Sequence, residues 1–440
     1  MTSKTKKTYH IITIGCQMNK SDSERFASYL ESLGFRGAST RPQADLVVLN
    51  TCGVRQTAED RIYGLIPRIR RENPAVKIIL TGCLSQRKDV REKIGDRVDL
   101  WLPIVDLPRL DRYLGGMFPD IKIKESDRID RDRDYLKITP KINSDFSAFV
   151  PIGNGCNNFC SYCVVPYARG REVYRPASEI VEEVKKWADQ GMKEVVLIAQ
   201  NVNSYISPDS QAMDFSELLK RVDEIPGYFW IRFATSHPKD MKEKLIKTIA
   251  NSRKICRHIH LPAQAGDDRI LEKMNRQYTI KHYKGLIESI RNNIPGASLT
   301  TDIIVGFPGE TREQFQNTVD LFREVEFDMA YIARFSPRPG TAAFNLEDDV
   351  SSEEKKRREE ELMKVLRRTA LKNNQNYIGE GVKVLVSGRD KKGFWFGYTD
   401  TNKNVRIGSD QKTEDLTGSF CQVVITGAED FGLSGEIKKE

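Results

Sequence analysis

Residues 155–163, Gly-Cys-Asn-Asn-Phe-Cys-Ser-Tyr-Cys, set three thiols at CxxxCxxC spacing directly behind an apolar run, 148–152, that reads as a short strand. Three cysteines on one tight loop can hold three irons of a cubane [4Fe-4S] cluster, whereas an electron-transfer cluster takes four thiolates. Cys156, Cys160 and Cys163 would then leave the fourth iron open to a substrate or cofactor. Tetrahedral zinc is the competing reading. It closes its shell with a fourth Cys or His at short range, however, and no His lies between His10 and His237.

An apolar run ending in a small residue and a cysteine occurs three times upstream: 11–14 before Gly15-Cys16, 46–50 before Thr51-Cys52, and 78–81 before Gly82-Cys83. If these runs are parallel strands of one α/β sheet, the three sulfurs meet at its carboxyl edge, where open α/β sheets bind ligands. Cys16, Cys52 and Cys83 are therefore a second candidate three-thiolate site. The alternative is three unrelated cysteines buried as small hydrophobes. Cys256 and Cys421 fall outside both sets and read as packing residues.

The chain divides into units at 7–122, 145–375 and 376–440, with a linker at 123–144. Residues 8 to about 120 alternate β-rich runs with helical patterns at 22–33 and 57–70, which predicts an α/β layer fold of Rossmann-like type. The stretch 125–137 alternates acid and base without an apolar stripe and reads as solvated. Strand candidates then follow at 148–152, 194–199, 229–234, 257–261, 299–305 and 330–335, with helical patterns between them. Six parallel strands with outer helices favour a curved, partly closed (β/α)6 barrel over a doubly wound sheet, with its chemistry at the carboxyl ends. A charged helix at 352–372 carries Leu362, Val365, Leu366 and Leu371 and is expected to pack along the barrel. Short β runs at 382–386, 394–398, 405–407 and 421–425 predict a small antiparallel barrel.

A length of 440 residues allows about three cores at roughly 150 residues each. The basic start, Met1 to Lys7, leads into too short an apolar run for a signal peptide, and no stretch approaches the roughly 18 apolar residues of a membrane span. A cytoplasmic location is expected, where eight cysteines stay reduced and can hold metal. The net charge of +8 leans only mildly toward a polyanionic partner. The tail from 376 onward, with 9 Lys and Arg against 10 Asp and Glu, does not lean that way at all. RNA contact there must come from arrangement, such as Lys391 and Lys392 beside Phe394, Trp395, Phe396 and Tyr398, where a base could stack. Alternate rings on a strand equally serve a core.

CxxxCxxC behind the first strand of a βα repeat resembles the radical S-adenosylmethionine (SAM) enzymes. Two three-cysteine sets in this order resemble the methylthiotransferases among them. The likeness is carried by Gly15-Cys16-Gln17-Met18-Asn19 with Asp22-Ser23-Glu24, by Asn50-Thr51-Cys52, and by the run from Gly155-Cys156 to Arg171-Glu172. Gln200-Asn201-Val202-Asn203-Ser204-Tyr205 and Ser336-Pro337-Arg338-Pro339-Gly340-Thr341 extend it. Gln17-Met18-Asn19 is similar to the branch that modifies N6-isopentenyladenosine at tRNA position 37. Branches acting on threonylcarbamoyladenosine in tRNA or on an aspartate of a ribosomal protein usually differ at Gln17 and Met18, and stand as alternatives. Ile14, Ala263 and Ala265 depart from the usual pattern and leave the cysteines untouched.

The resemblance implies a central barrel of radical SAM type, a C-terminal TRAM module that binds RNA, two [4Fe-4S] clusters and S-adenosyl-L-methionine. One SAM would methylate a sulfur carried at Cys16, Cys52 and Cys83. A second would be cleaved at Cys156, Cys160 and Cys163 to a 5′-deoxyadenosyl radical, which takes hydrogen from adenine C2 before the methylthio group is transferred. An unactivated aromatic C–H offers no acidic proton and no leaving group, so general acid–base catalysis could not do this. The implied partners are a tRNA anticodon stem-loop with isopentenylated adenosine, an electron donor and a sulfur donor. The chain is expected to be a monomer away from membranes.

Gln200, Asn203, Ser236 and Gln264 sit at predicted strand ends and are candidates to orient cofactor and base. Arg169, Arg171 and Arg175 follow the thiol loop and could contact RNA phosphates or the SAM carboxylate. The stretch Asp302 to Glu310, with Gly306, resembles the strand and loop on which such enzymes pack the adenine. His237, His258 and His260 are read as structural. A non-catalytic iron–sulfur RNA-binding regulator is the competing class, and it leaves CxxxCxxC without a purpose.

Overall fold

The computed structural model describes residues 7–121, 131–209, 213–408 and 414–438. The basic start at 1–6 and the first part of the charged stretch, 125–130, lie outside the described residues. Five parallel strands come first: β1 (Thr8–Ile14), β2 (Arg36–Gly37), β3 (Leu46–Thr51), β4 (Lys77–Gly82) and β5 (Leu100–Trp101), in spatial order β2-β1-β3-β4-β5. This doubly wound order binds ligands beyond the carboxyl ends, at the switch between β1 and β3. β3 is buried along its whole length, as a parallel strand between two helix layers must be. Leu46 and Val48 join Phe26 and Leu30 in one core, while Val47 and Leu49 join Ile62 and Ile66 in the other.

The first helix, Gln17–Ser32, starts well before the predicted position 22 because Cys16 is itself the N-cap: the Asn19 side-chain oxygen accepts its backbone N–H at 3.3 Å. The expectation that 125–137 is solvated is corrected at its end, where the described residues bury two side chains. Helix Arg131–Lys137 sends Tyr135 and Leu136 into the N-terminal core cluster that holds Leu107 and Phe118. Two adjacent apolar residues give no periodicity to read, so charge dominated the sequence pattern.

The central unit contains β6 (Ser147–Pro151), β7 (Gly153–Asn154), β8 (Val173–Tyr174), β9 (Glu194–Ile198), β10 (Trp230–Ala234), β11 (His258–His260), β12 (Ser298–Val305) and β13 (Met329–Arg334). β6, β9 and β10 form one parallel sheet and β11, β12 and β13 another. Backbone bonds from Ile231 N to Lys254 O (2.8 Å) and from Cys256 N to Ile231 O (2.9 Å) join them into one curved wall. Among the described residues no ladder joins β6 to β13, so the barrel stays open. Val195, Leu197, Ile231 and Phe233 pack under the outer helices, whereas Phe149, Val196 and Ile198 form a separate cluster with Met18 of the first helix. Helix Ser352–Gln375 runs beside β13 with Leu362 and Leu366 in the core.

β14 (Gly381–Arg389), β15 (Trp395–Thr399), β16 (Asn404–Gly408), β17 (Phe420–Glu429) and β18 (Gly432–Ile437) close into a barrel. The predicted all-antiparallel barrel is corrected: β18, unread in the sequence because it alternates small and polar residues around Leu433, pairs parallel with β16. This barrel docks at the amino ends of the central strands. Trp230, Cys256 and Leu385 are buried together with Phe146 and Phe420 beside them. Arg232, ion-paired with Glu194, donates to the Thr399 carbonyl at 2.7 Å, and Lys403 meets Asp328 at 2.6 Å. Among the described residues no helix is long and apolar enough to cross a membrane.

Arg232→Met should leave Glu194 buried without its counter-charge and lower stability by about 3 kcal/mol or more, read by urea denaturation of the full chain.

Candidate active site: two facing sets of thiols

The ladders that align Ile14 with Thr51 and Thr51 with Gly82 continue into the loops, where Cys52 N donates to Ile14 O and Cys83 N to Thr51 O, both at 2.8 Å. Cys16, Cys52 and Cys83 thus leave adjacent strands in step at one carboxyl edge. Glycines permit the close spacing. A Cβ at Gly82, whose φ is +82°, would run into the Thr51 carbonyl, and one at Gly53 would lie 3.0 Å from the Cys83 Cβ. Asn19 and Asn50 exchange hydrogen bonds at 2.8 Å, and Asn50 also donates to Ser23 at 3.0 Å, tying the first two cysteine loops together. Cys16 heads a helix whose free N–H groups favour negative charge at that end.

The second loop is equally constrained. Gly155 has φ +82°, and a Cβ there would run into the Arg171 carbonyl. Ser161 is bonded through N to Met274 O (3.1 Å) and through Oγ to Lys273 O (2.8 Å). Phe159 is held at φ +47° by Asn275, whose Nδ2 donates to Asn158 O (3.1 Å) and Phe159 O (2.9 Å). Every sulfur of this loop accepts a donor: Cys156 from Asn158 Nδ2 at 3.6 Å, Cys160 from Arg276 Nη1 at 3.4 Å, and Cys163 from Val165 N at 3.5 Å. The rings of Phe159 and Tyr167 are exposed, meet edge to face at 6.3 Å, and carry Arg171 over Phe159 at 5.7 Å.

Two contacts pin the two sets against each other, and a third ties the Cys52 loop to the central unit. Arg169, just past Cys163, pairs with Asp22 at 2.7 Å, with both side chains no more than 2% exposed. Gln86, just past Cys83, donates to Ala168 O at 3.2 Å. Arg338, from the loop after β13, donates to Val54 O (3.1 Å) and Gln56 (2.7 Å), just past Cys52. Burial, with Cys83 and Cys16 adding to it, pushes the Cys52 thiol up to about 11. Burial also raises Cys156 and Cys163, and Cys83 is among the neighbours that raise Cys163. Among the described residues, no three His, Cys, Asp or Glu side chains are drawn in as ligands of a single metal ion would be.

The expectation that Arg169 meets a phosphate or the SAM carboxylate is corrected, because its guanidinium is buried between Asp22 and Asn154. Arg175 is likewise bound to Glu183 and the Pro151 carbonyl, which leaves Arg171 as the exposed member of the three. Gln200 Oε1 and Ser236 Oγ, past the ends of β9 and β10, are buried without a hydrogen-bond partner. Such atoms call for a polar ligand or water. Asn203 instead joins two loops, donating to His237 O at 3.0 Å and accepting the His237 N–H at 2.8 Å. Gln264, at φ +70°, inserts its backbone between Asp302 O and Ile304 N of β12. Gly306, at φ +68°, donates to Glu310, which is itself paired with Arg358 at 2.7 Å. His237 is kept neutral, its pKa pushed down to about 2 by burial with help from Arg276 and Lys239. His258 and His260 share the Thr300 hydroxyl at 3.0 and 2.9 Å. Sequence reasoning missed Arg276 and gave no role to Asp22 or Arg338, although both of these lie in the quoted motifs.

An open wall of six parallel strands with CxxxCxxC on its first loop defines a radical SAM enzyme, and residues 150–322 match the family model described as Radical SAM superfamily. Residues 8–102 match the one described as Uncharacterized protein family UPF0004. The fold is similar to the radical S-adenosylmethionine methyltransferase TsrM from Kitasatospora setae, with a TM-score of 0.54 at 15% identity, covering 77% of this chain and 75% of that one. A protein of Moorella thermoacetica is 41% identical over 99% of both chains. One of Caldicellulosiruptor saccharolyticus is 41% identical over 98% of this chain and 92% of its own. Both are named tRNA-2-methylthio-N(6)-dimethylallyladenosine synthase, and this chain belongs to that synthase family.

Asp22→Asn should strand the Arg169 charge and cost about 3–5 kcal/mol in urea denaturation, most of it recovered when Arg169→Met is added. Stability should also fall in acid. Below the ordinary histidine pKa of about 6.5 the unfolded chain takes up a proton at His237 and the folded chain does not, a loss of about 1.4 kcal/mol per pH unit. His237→Gln should flatten that part of the stability profile between pH 5 and 6.5.

Proposed function

We propose that this chain installs a methylthio group on C2 of N6-isopentenyladenosine at position 37 of tRNA, by radical SAM chemistry with two site-open [4Fe-4S] clusters. The observation that carries the reading is the pinning of two three-thiol sets against each other at the carboxyl edge of the half-barrel. The donor sets fit such clusters: three thiols each, with N–H or guanidinium donors on sulfurs that would be anionic when bound to iron. Cys156, Cys160 and Cys163 hold the SAM-binding cluster, and Cys16, Cys52 and Cys83 the second. When bound, a cluster held by Cys156, Cys160 and Cys163 would supply the one-electron reduction on which radical SAM chemistry depends.

The rest of the work is positional. Gln200 and Ser236, with their unmet polar atoms, orient bound cofactor, and Gln264 and Gly306 shape the adjoining backbone. Phe159, Tyr167 and Arg171 offer rings and a cation to splayed anticodon-loop bases. The working domain limits are 7–122, 145–375 and 376–440. The tail barrel sits at the other end of the strands, so an RNA touching both it and the thiols passes along the flank of the wall. That span is about 25 Å for an eight-residue strand such as β12. The reaction needs an external electron donor and a sulfur donor, and the enzyme acts as a cytoplasmic monomer.

The test is anaerobic. The chain is reconstituted with iron and sulfide, both are counted, and dithionite, SAM and isopentenylated anticodon stem-loop RNA are added before mass spectrometry. About eight irons, 5′-deoxyadenosine and a methylthio-adenosine support the reading. Unmodified RNA with 5′-deoxyadenosine formed would move the substrate to the threonylcarbamoyl or ribosomal-protein alternatives, and about four irons would sink the second cluster. Cys160→Ala should abolish 5′-deoxyadenosine and keep about half the iron.

A further inference from the structure

Among the described residues Arg276 is a buried cation with no carboxylate in an ion pair or hydrogen bond with it. Its residue is 8% exposed, and its guanidinium donates from Nη2 to the Pro262 carbonyl (3.0 Å), from Nε to the Tyr278 hydroxyl (3.0 Å) and from Nη1 to the Cys160 sulfur (3.4 Å). The Tyr278 hydroxyl is itself fixed, donating to the carbonyls of Pro262 (3.2 Å) and Ala263 (2.8 Å), so the guanidinium is aimed by its surroundings. Among the described residues its polar contacts are the Tyr278 hydroxyl, the Cys160 sulfur and the Pro262 carbonyl, with the Tyr278 ring 5.1 Å away, and none of them is an Asp or Glu. The other arginines buried at this site are paired differently: Arg169 has Asp22, Arg175 has Glu183 and Arg338 has Glu59. A desolvated guanidinium without a counter-ion costs several kcal/mol. Of the groups it is bonded to among the described residues, the Cys160 sulfur is the one that carries negative charge when ligated to iron.

We propose that Arg276 is the protein's counter-charge to the cluster at Cys156, Cys160 and Cys163 and a positioning residue for its redox chemistry, raising the potential at which that cluster accepts its electron. The inference rests on the proposal that these cysteines are cluster ligands. A cluster held by three thiolates is already anionic when oxidised. On reduction it takes one electron from an external donor, with no bond made or broken and no proton moved, and its negative charge grows by one. A fixed cation hydrogen-bonded to one of the ligand sulfurs is attracted more strongly to the reduced form, and hydrogen bonds to the sulfurs are among the determinants of cluster potential. Burial strengthens the effect, because little water screens the charge. The same contact couples the thiol loop to the segment after helix Asp268–Lys273, which also fixes Phe159 through Asn275.

The experiment is a redox-poised titration of the full, anaerobically reconstituted chain, followed by electron paramagnetic resonance of the reduced signal that changes when SAM is added and is lost in Cys160→Ala. Arg276→Gln should hold the same iron and show about a tenfold lower reduced-to-oxidised ratio at fixed poise, equivalent to about 59 mV for a one-electron couple. Arg276→Lys, which keeps a charge, should lose much less. An unchanged potential in the Gln variant with full iron content would overturn the inference and leave Arg276 a packing residue. If the Gln variant fails to hold iron, Tyr278→Phe decides. It keeps the guanidinium but removes the acceptor that aims it, so a ratio lowered by about twofold or more supports the inference and an unchanged one overturns it. Should Cys160→Ala bind as much iron as the unaltered chain, the cluster assignment itself falls and this inference falls with it.

Discussion

The buried ion pair between Asp22 and Arg169 sets the geometry of everything around it. It joins the helix that Cys16 caps to the short helix, Val165–Arg169, that follows Cys163, so one contact relates the two thiol sets. Taking both charges out of water is costly, and the attraction repays this only when the remaining donors are also met. Asn154 accepts one of them at 3.1 Å. The apolar contact of Met18 with Val196 and Ile198 holds the same two surfaces together but is non-directional. The charge pair, with Gln86 and Arg338 on the neighbouring loops, fixes direction and register as well.

Strand polarity then decides how the three units share the work. Parallel strands bring all their carboxyl ends to one side, and that side takes the N-terminal sheet and both cysteine sets. The amino ends take the small barrel, seated on Trp230 and Cys256 and locked by Arg232 and Lys403. The small barrel and the two thiol sets therefore lie at opposite ends of the central strands. Among the described residues no ladder closes β6 onto β13.

Much of this was legible before any coordinates. An apolar run, a small residue and a cysteine, repeated three times, predicted the carboxyl-edge site, because strands in one parallel sheet must release their loops on the same side. The glycines at 82 and 155 are explained by the carbonyls a side chain would strike. What the sequence hid was pairing between distant segments. Nothing local distinguishes Arg169, buried against Asp22, from exposed Arg171 two positions on, and Arg276 meets Cys160 from 116 residues away. Asn203 looked like a cofactor ligand at a strand end, and the fold uses its amide to bridge two loops. Tyr135 and Leu136 were masked by the charges around them, and β18 by its alternation of small residues.

The sequence by itself determined the two sets of three thiols, the six-strand repeat and the family to which the chain belongs, since cysteine spacing and hydrophobic periodicity are short-range properties of the covalent chain. Only the tertiary structure decided which charges are buried together, which polar atoms are left unmet and which arginine faces a sulfur rather than a carboxylate. Those depend on desolvation, and a residue's desolvation is created by neighbours that arrive from elsewhere in the chain when it packs.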